Sequence, residues 1–129
     1  MTDHYQQLAE TAAALVAPGK GILAIDESSG TIKKRFDSVG VDNTEDNRLD
    51  YRSMMLTTEG LGEFISGAIL FDETIRQTLP DGTSMVEAMS QAGIIPGIKV
   101  DAGAKDLAGF PGEKVTEGLD GLRERLAEY

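Results

Sequence analysis

The stretch GILAIDESSGTIKKR, Gly21 to Arg35, is an apolar run (Ile22, Leu23, Ala24, Ile25) that ends on an acid, Asp26. Hydroxyls follow at Ser28, Ser29 and Thr31, a turn glycine at Gly30, then three cations at Lys33, Lys34 and Arg35. That order predicts strand, loop and helix, with a carboxylate at the strand's carboxyl end and anion-binding groups one turn later. Ligands of parallel α/β proteins sit at those strand ends.

Outward from this segment the chain alternates. Residues 4 to 17 predict a helix with Leu8, Ala12, Leu15 and Val16 on one face, closed by Pro18-Gly19. After a short helix at Thr31 to Phe36, Asn43 or Thr44 is placed to cap a helix whose first turn holds Glu45 and Asp46. Leu49, Tyr51, Met54, Met55 and Leu56 continue it. Ile65 to Phe71 is a second apolar strand, ending at Asp72-Glu73. Ser84-Met85-Val86-Glu87 is a capping box for a helix to Ala92, with Gly93 as its terminator. Ile94 to Val100 predicts a third strand ending at Asp101, residues 102 to 115 a loop, and Leu119, Leu122, Leu126 and Tyr129 a last helix.

The predicted fold is α/β: a leading helix over 1–18, then three βα units over 19–129. The strands are continuous Ile/Leu/Val/Ala runs, as expected where both faces of a parallel sheet are covered. Right-handed crossovers put all carboxyl ends on one edge, gathering Asp26, Asp72, Lys99 and Asp101. Three strands leave two open sheet edges, and a (β/α)8 TIM barrel needs roughly 250 residues. The expectation is therefore an incomplete barrel, its first three units. The competing architecture is a small three-layer α/β domain completed by dimerisation.

Composition narrows the function classes. Twelve cations against 22 acids give a net charge of −10, which disfavours nucleic acid and anionic membranes as partners. There is no cysteine, and the one histidine, His4, lies near the amino terminus, so neither a zinc site nor a His-dependent triad can be assembled. No apolar run approaches the ~20 residues that span a bilayer, and no secretory signal is visible. A cytoplasmic protein is expected.

Five segments, standing in order, carry a resemblance: VAPGKGILAIDESSGTIKKRF (16–36), NTEDNRLDYR (43–52), GAILFDET (67–74), GIKVDAG (97–103) and EGLDGLRERLAEY (117–129). Together they resemble class I fructose-bisphosphate aldolases. The resemblance implies reversible cleavage of fructose 1,6-bisphosphate to dihydroxyacetone phosphate and glyceraldehyde 3-phosphate, through a lysine Schiff base and with no metal or other cofactor. It gives Asp26 the strand-end carboxylate that contacts the sugar hydroxyl near the breaking bond, a task suited to a hydrogen-bond acceptor. Ser28 and Thr31 match hydroxyls that help hold the distal phosphate, with Thr31 replacing the serine of many relatives; a helix start suits that task. Both also read as simple caps. Lys34 and Arg35 match the two cations of that helix. Successive helical residues point about 100° apart, so all three cations cannot face one ligand; Arg35, able to grip phosphate bidentately, is the expected contact and Lys33 a solvated side chain. Arg48 matches an arginine at the substrate site, although by its own surroundings it reads as a surface ion pair.

Lys99 divides the two readings. An amine in an apolar strand with few polar neighbours is a Schiff-base candidate. The resemblance instead makes it part of an ionic network with the strand-1 aspartate and the substrate phosphate, with Asp101, of the same motif, orienting the site or capping the loop. The Schiff-base lysine, its partner lysine, the paired glutamates and the other phosphate loop have no counterpart in these 129 residues, so the chain alone is expected to be inactive. The implied partners are a phosphosugar and, at full length, further copies of the protein. The competing function is a non-catalytic module that binds phosphosugar weakly or pairs with another chain.

Overall fold

The computed structural model describes residues 4–129, so the first three residues of the leading 1–18 stretch lie outside the described residues. Three parallel strands pair in chain order: β1 (Gly21–Ala24), β2 (Ile65–Leu70) and β3 (Ile95–Ile98). Gly21 stands against Ile65 and Gly67 against Ile95. Parallel pairing brings the three carboxyl ends to one edge. Helix α1 (His4–Leu15) precedes the sheet. Helices α2 (Ser29–Asp37), α3 (Glu45–Leu56) and α4 (Leu61–Phe64) join β1 to β2, while α5 (Asp72–Ile75) and α6 (Met85–Gln91) join β2 to β3. Beyond them lie β4 (Gly103–Asp106), β5 (Lys114–Glu117) and α7 (Leu122–Glu128). The described residues form two units, 4–98 and 99–129.

In the first unit the core joins Ile25, Leu56, Ala68, Leu70, Met85, Met89 and Ile94. The continuous apolar strand pattern is fully used only by β2, where Ser66, Gly67, Ala68 and Leu70 are all buried. Its flanking strands keep exposed positions, Ile22 among them. Ser66 fastens the amino-terminal edge, its Oγ lying 2.6 Å from the Leu15 carbonyl and 3.1 Å from that of Gly21. The expected apolar face of α1 is mostly uncovered: Leu8 and Val16 are exposed, and Leu15 alone of the four is half-buried. On α3 the inward stripe runs from half-buried Leu49 to buried Arg52 and Leu56, at steps of three and four. Met54, expected to continue the helix's apolar set, stands off that stripe and is exposed.

Two helix starts follow the sequence closely. Thr44 is the cap of α3, its hydroxyl accepting the Asn47 N–H at 3.2 Å. Ser84 accepts the Glu87 N–H at 3.1 Å, the first half of a capping box. Gly93, just past α6, has φ +73°, a conformation glycine adopts without a Cβ penalty.

The second unit corrects the reading of residues 102–115 as a loop. They hold most of an antiparallel hairpin, Gly103 opposite Glu117 and Asp106 opposite Lys114. A carboxylate starts it: Asp101 Oδ1 accepts the Gly103 N–H at 2.9 Å. Lys114 and Asp106 pair across the far end at 2.7 Å. Two boundaries also shift. The third strand stops at Ile98, before Lys99, and the last helix opens at Leu122, leaving Leu119 exposed.

Candidate functional site

The carboxyl end of β1 is held in the sheet by Ile25, whose N–H donates to the Ile69 carbonyl at 3.2 Å. Asp26 follows, half-buried. It does not cap the next helix, because Ser28 occupies that position. The Ser28 hydroxyl makes no capping bond either. It lies 3.2 Å from the Thr31 hydroxyl, and both residues are exposed. One turn on, Lys33 is spent on Asp37 at 2.7 Å, Lys34 is exposed, and Arg35 Nη1 lies 3.2 Å from Glu27 Oε1.

Glu27 is the residue that sequence reasoning missed. Its side chain is only 6 % exposed. Oε2 accepts from Arg52 Nη2 at 3.2 Å, and the Glu27 backbone carbonyl accepts from the same nitrogen at 2.9 Å. The Tyr51 hydroxyl donates to Oε1 at 3.3 Å. Burial first, and then the Glu27 charge, push the Tyr51 phenol above its ordinary range. The Tyr51 ring also meets Phe36 edge to face, centroids 5.8 Å apart. Arg52 itself is wholly buried, and its Nη1 donates to Thr74 Oγ1 at 2.6 Å. Its Nε–H has no hydrogen-bond partner among the described residues. The available signal was an arginine lying four residues before Leu56 on the apolar stripe of α3.

Arg48 is also more than a surface pair. It grips Glu73 with two parallel bonds, Nε to Oε2 at 2.7 Å and Nη2 to Oε1 at 2.6 Å, and donates through Nη1 to Asn43 Oδ1 at 3.0 Å. The bond from Arg48 holds the Glu73 carboxyl below its ordinary 4.5, and the same bond raises the Arg48 guanidinium. A carboxylate with a lowered folded-state pKa stabilises the fold above its unfolded value and loses that contribution as pH falls through the folded value. Glu73→Gln is therefore expected to cost on the order of 1 kcal/mol near pH 7. Denaturant midpoints of parent and variant should converge as pH drops below 4.5; a gap that persists undiminished in acid would contradict the assignment.

In the second unit Lys99 pairs directly with Asp101. Asp101 is held below the usual carboxylate range, first by the Lys99 hydrogen bond and then by the Gly103 N–H. Lys99 thus lies outside the strand, half-buried and ion-paired, unlike the isolated amine that its apolar neighbours suggested. Among the described residues no cluster of three His, Asp or Glu side chains could hold a metal ion.

The family model described as "Glycolytic: Fructose-bisphosphate aldolase class-I" matches residues 7–129. The chain belongs to the class-I fructose-bisphosphate aldolase family. A probable fructose-bisphosphate aldolase class 1 of Xanthomonas campestris is 67 % identical over 124 residues, 96 % of this chain and 37 % of that protein. Fructose-bisphosphate aldolase 1 of Toxoplasma gondii is 59 % identical over 124 residues, again 96 % of this chain but 34 % of the relative. Among solved structures, an aldolase of Plasmodium falciparum, crystallised with TRAP and a small-molecule inhibitor, superposes with a TM-score of 0.95 at 53 % identity. That match covers all of this chain and 37 % of the other. The chain thus spans about a third of the length of these aldolases, and its three parallel βα units correspond to part of their barrel.

Proposed function

We propose that these residues serve an enzyme that reversibly cleaves fructose 1,6-bisphosphate into dihydroxyacetone phosphate and glyceraldehyde 3-phosphate through a lysine Schiff base. The observation that carries the reading is the order of groups on one short segment: a carboxylate at Asp26, paired hydroxyls at Ser28 and Thr31, and cations at Lys34 and Arg35, beginning at the carboxyl edge of a parallel sheet. Such an edge is where barrel enzymes bind substrate. In this reading Asp26 accepts a hydrogen bond from the sugar hydroxyl beside the breaking carbon–carbon bond and arranges proton transfer. Ser28, Thr31, Lys34 and Arg35 hold a phosphate, whose charge suits hydroxyls and cations at a helix start. Arg48, gripped by Glu73, donates to Asn43, whose amide in turn donates to the Ser29 carbonyl, and in this reading it contributes to the substrate side. Lys99 supplies positive charge to the substrate with Asp101 as its orienting partner.

The Schiff-base nucleophile is assigned, from the family resemblance, to a lysine outside these 129 residues, and the pairing of Lys99 with Asp101 suits its different role. The enzyme acts in the cytoplasm on a small phosphosugar, assembled with further copies of itself. Among the described residues no helix is long and apolar enough to cross a membrane, and the net charge of −10 suits neither nucleic acid nor anionic lipid.

Borohydride trapping with dihydroxyacetone phosphate, read by peptide mass spectrometry, tests this. The expected result is one reduced sugar-phosphate adduct per subunit of the active enzyme, and none on a chain of only these residues. An adduct on Lys99 would overturn its assignment, and no adduct on the enzyme would overturn the reaction.

A further inference from the structure

Arg35 is the one cation of its trio that is steered from inside the protein. Its side chain is 59 % exposed, a state in which a long arginine samples many rotamers. Yet Nη1 rests 3.2 Å from a carboxylate that is itself buried and bonded on both oxygens: Glu27 is held by Tyr51 on Oε1 and by Arg52 on Oε2 and on its backbone carbonyl. Arg52 is in turn tied to Thr74 at 2.6 Å, on the helix that follows β2. An outside guanidinium is thereby referenced to two strand ends. Nη1 makes the approach to Glu27 Oε1, and a guanidinium has five N–H donors, more than one carboxylate oxygen can take, which leaves donors for an anion. Lys33, by contrast, is anchored to Asp37 on its own helix.

We infer that Glu27 is a positioning residue which presets the Arg35 guanidinium for the anionic end of the substrate. The inference rests on the reading above, in which Arg35 contacts substrate phosphate. Preorganisation of a contact made equally in ground and transition states shows in KM and leaves kcat alone. A purely architectural role would lower kcat as well, because the same loop carries Asp26.

Steady-state kinetics on fructose 1,6-bisphosphate with the active enzyme test it through a double-mutant cycle. Glu27→Gln is expected to raise KM about five-fold with kcat within about two-fold, the scale of a partly exposed ion pair. Arg35→Gln is expected to raise KM at least about ten-fold. In the double variant KM should match Arg35→Gln alone, since an aimed group that is absent cannot be misaimed. Multiplied KM effects, an unchanged KM in Glu27→Gln, or a loss confined to kcat would overturn the positioning role. An unchanged KM in Arg35→Gln would instead overturn the contact on which the inference rests. If Glu27→Gln does not yield folded enzyme, Tyr51→Phe takes its place in the cycle. It removes only the 3.3 Å bond to Oε1, and is expected to raise KM about two-fold in the presence of Arg35 and not at all in its absence.

Discussion

Arg52→Leu is expected to remove about 3 kcal/mol of stability or more. Arg52 is fully buried, and the carboxylate it neutralises is 6 % exposed. Leucine fills part of the volume but leaves Glu27 with a hydroxyl and one solvent-exposed arginine as partners. It also strands the Thr74 hydroxyl, which is itself buried. Removing one member of a buried pair costs more than removing both, because the survivor keeps its desolvation penalty. The double variant Arg52→Leu, Glu27→Gln should therefore be more stable than the sum of the single losses predicts. Urea midpoints at constant slope measure this. Additive losses would show that the pair is not coupled. Against a typical domain stability of about 5–15 kcal/mol, the single change is enough to lower the folded population in a cell.

Gly62→Ala is the second large effect, and it comes from space rather than charge. A Cβ on Gly62 would lie 1.9 Å from the Ala92 carbonyl oxygen and 3.1 Å from its carbon. The obstacle is backbone at the end of α6, so no rotamer relieves it. The Gly62 carbonyl also accepts the Lys20 ammonium at 2.6 Å, and a shift of α4 would weaken that bond. Overpacking costs about 1–3 kcal/mol where side chains can yield; here at least the upper end is expected. Gly30→Ala is the matched control. It sits in α2 with nothing within 4 Å of the added methyl, and alanine there should be neutral or stabilising by up to about 1 kcal/mol. Thermal melts of the two variants decide the matter: similar midpoints would mean that α4 moves freely.

Periodicity and punctuation made the sheet legible before any coordinates. Apolar runs closed by Asp26 and Asp72 mark two strand ends, and Ser84 with Glu87 marks a helix start, because each is a local rule satisfied within a few residues. The hairpin at 103–117 was not legible, since its strands, GAKD and KVTE, carry no apolar alternation and are almost entirely exposed. Its pairing depends on an Asp101 turn and cross-strand partners that composition does not announce. The hydroxyls and cations proposed to meet the substrate could be named from the sequence because they sit on one segment. The Glu27–Arg52–Thr74 network was not, because it joins residues up to 25 positions apart and its arginine lies where pattern reading expects leucine.

The sheet's order also sets a timetable for synthesis. Gly21 waits for Ile65, and Gly67 for Ile95. At about 5–20 residues per second, β1 leaves the ribosome a few seconds before any partner exists. Each later strand then adds to the outer side of the one before, so no strand must be inserted between two already paired. The nascent chain can lay its sheet down in the order in which it is translated, while the hairpin closes within its own short span.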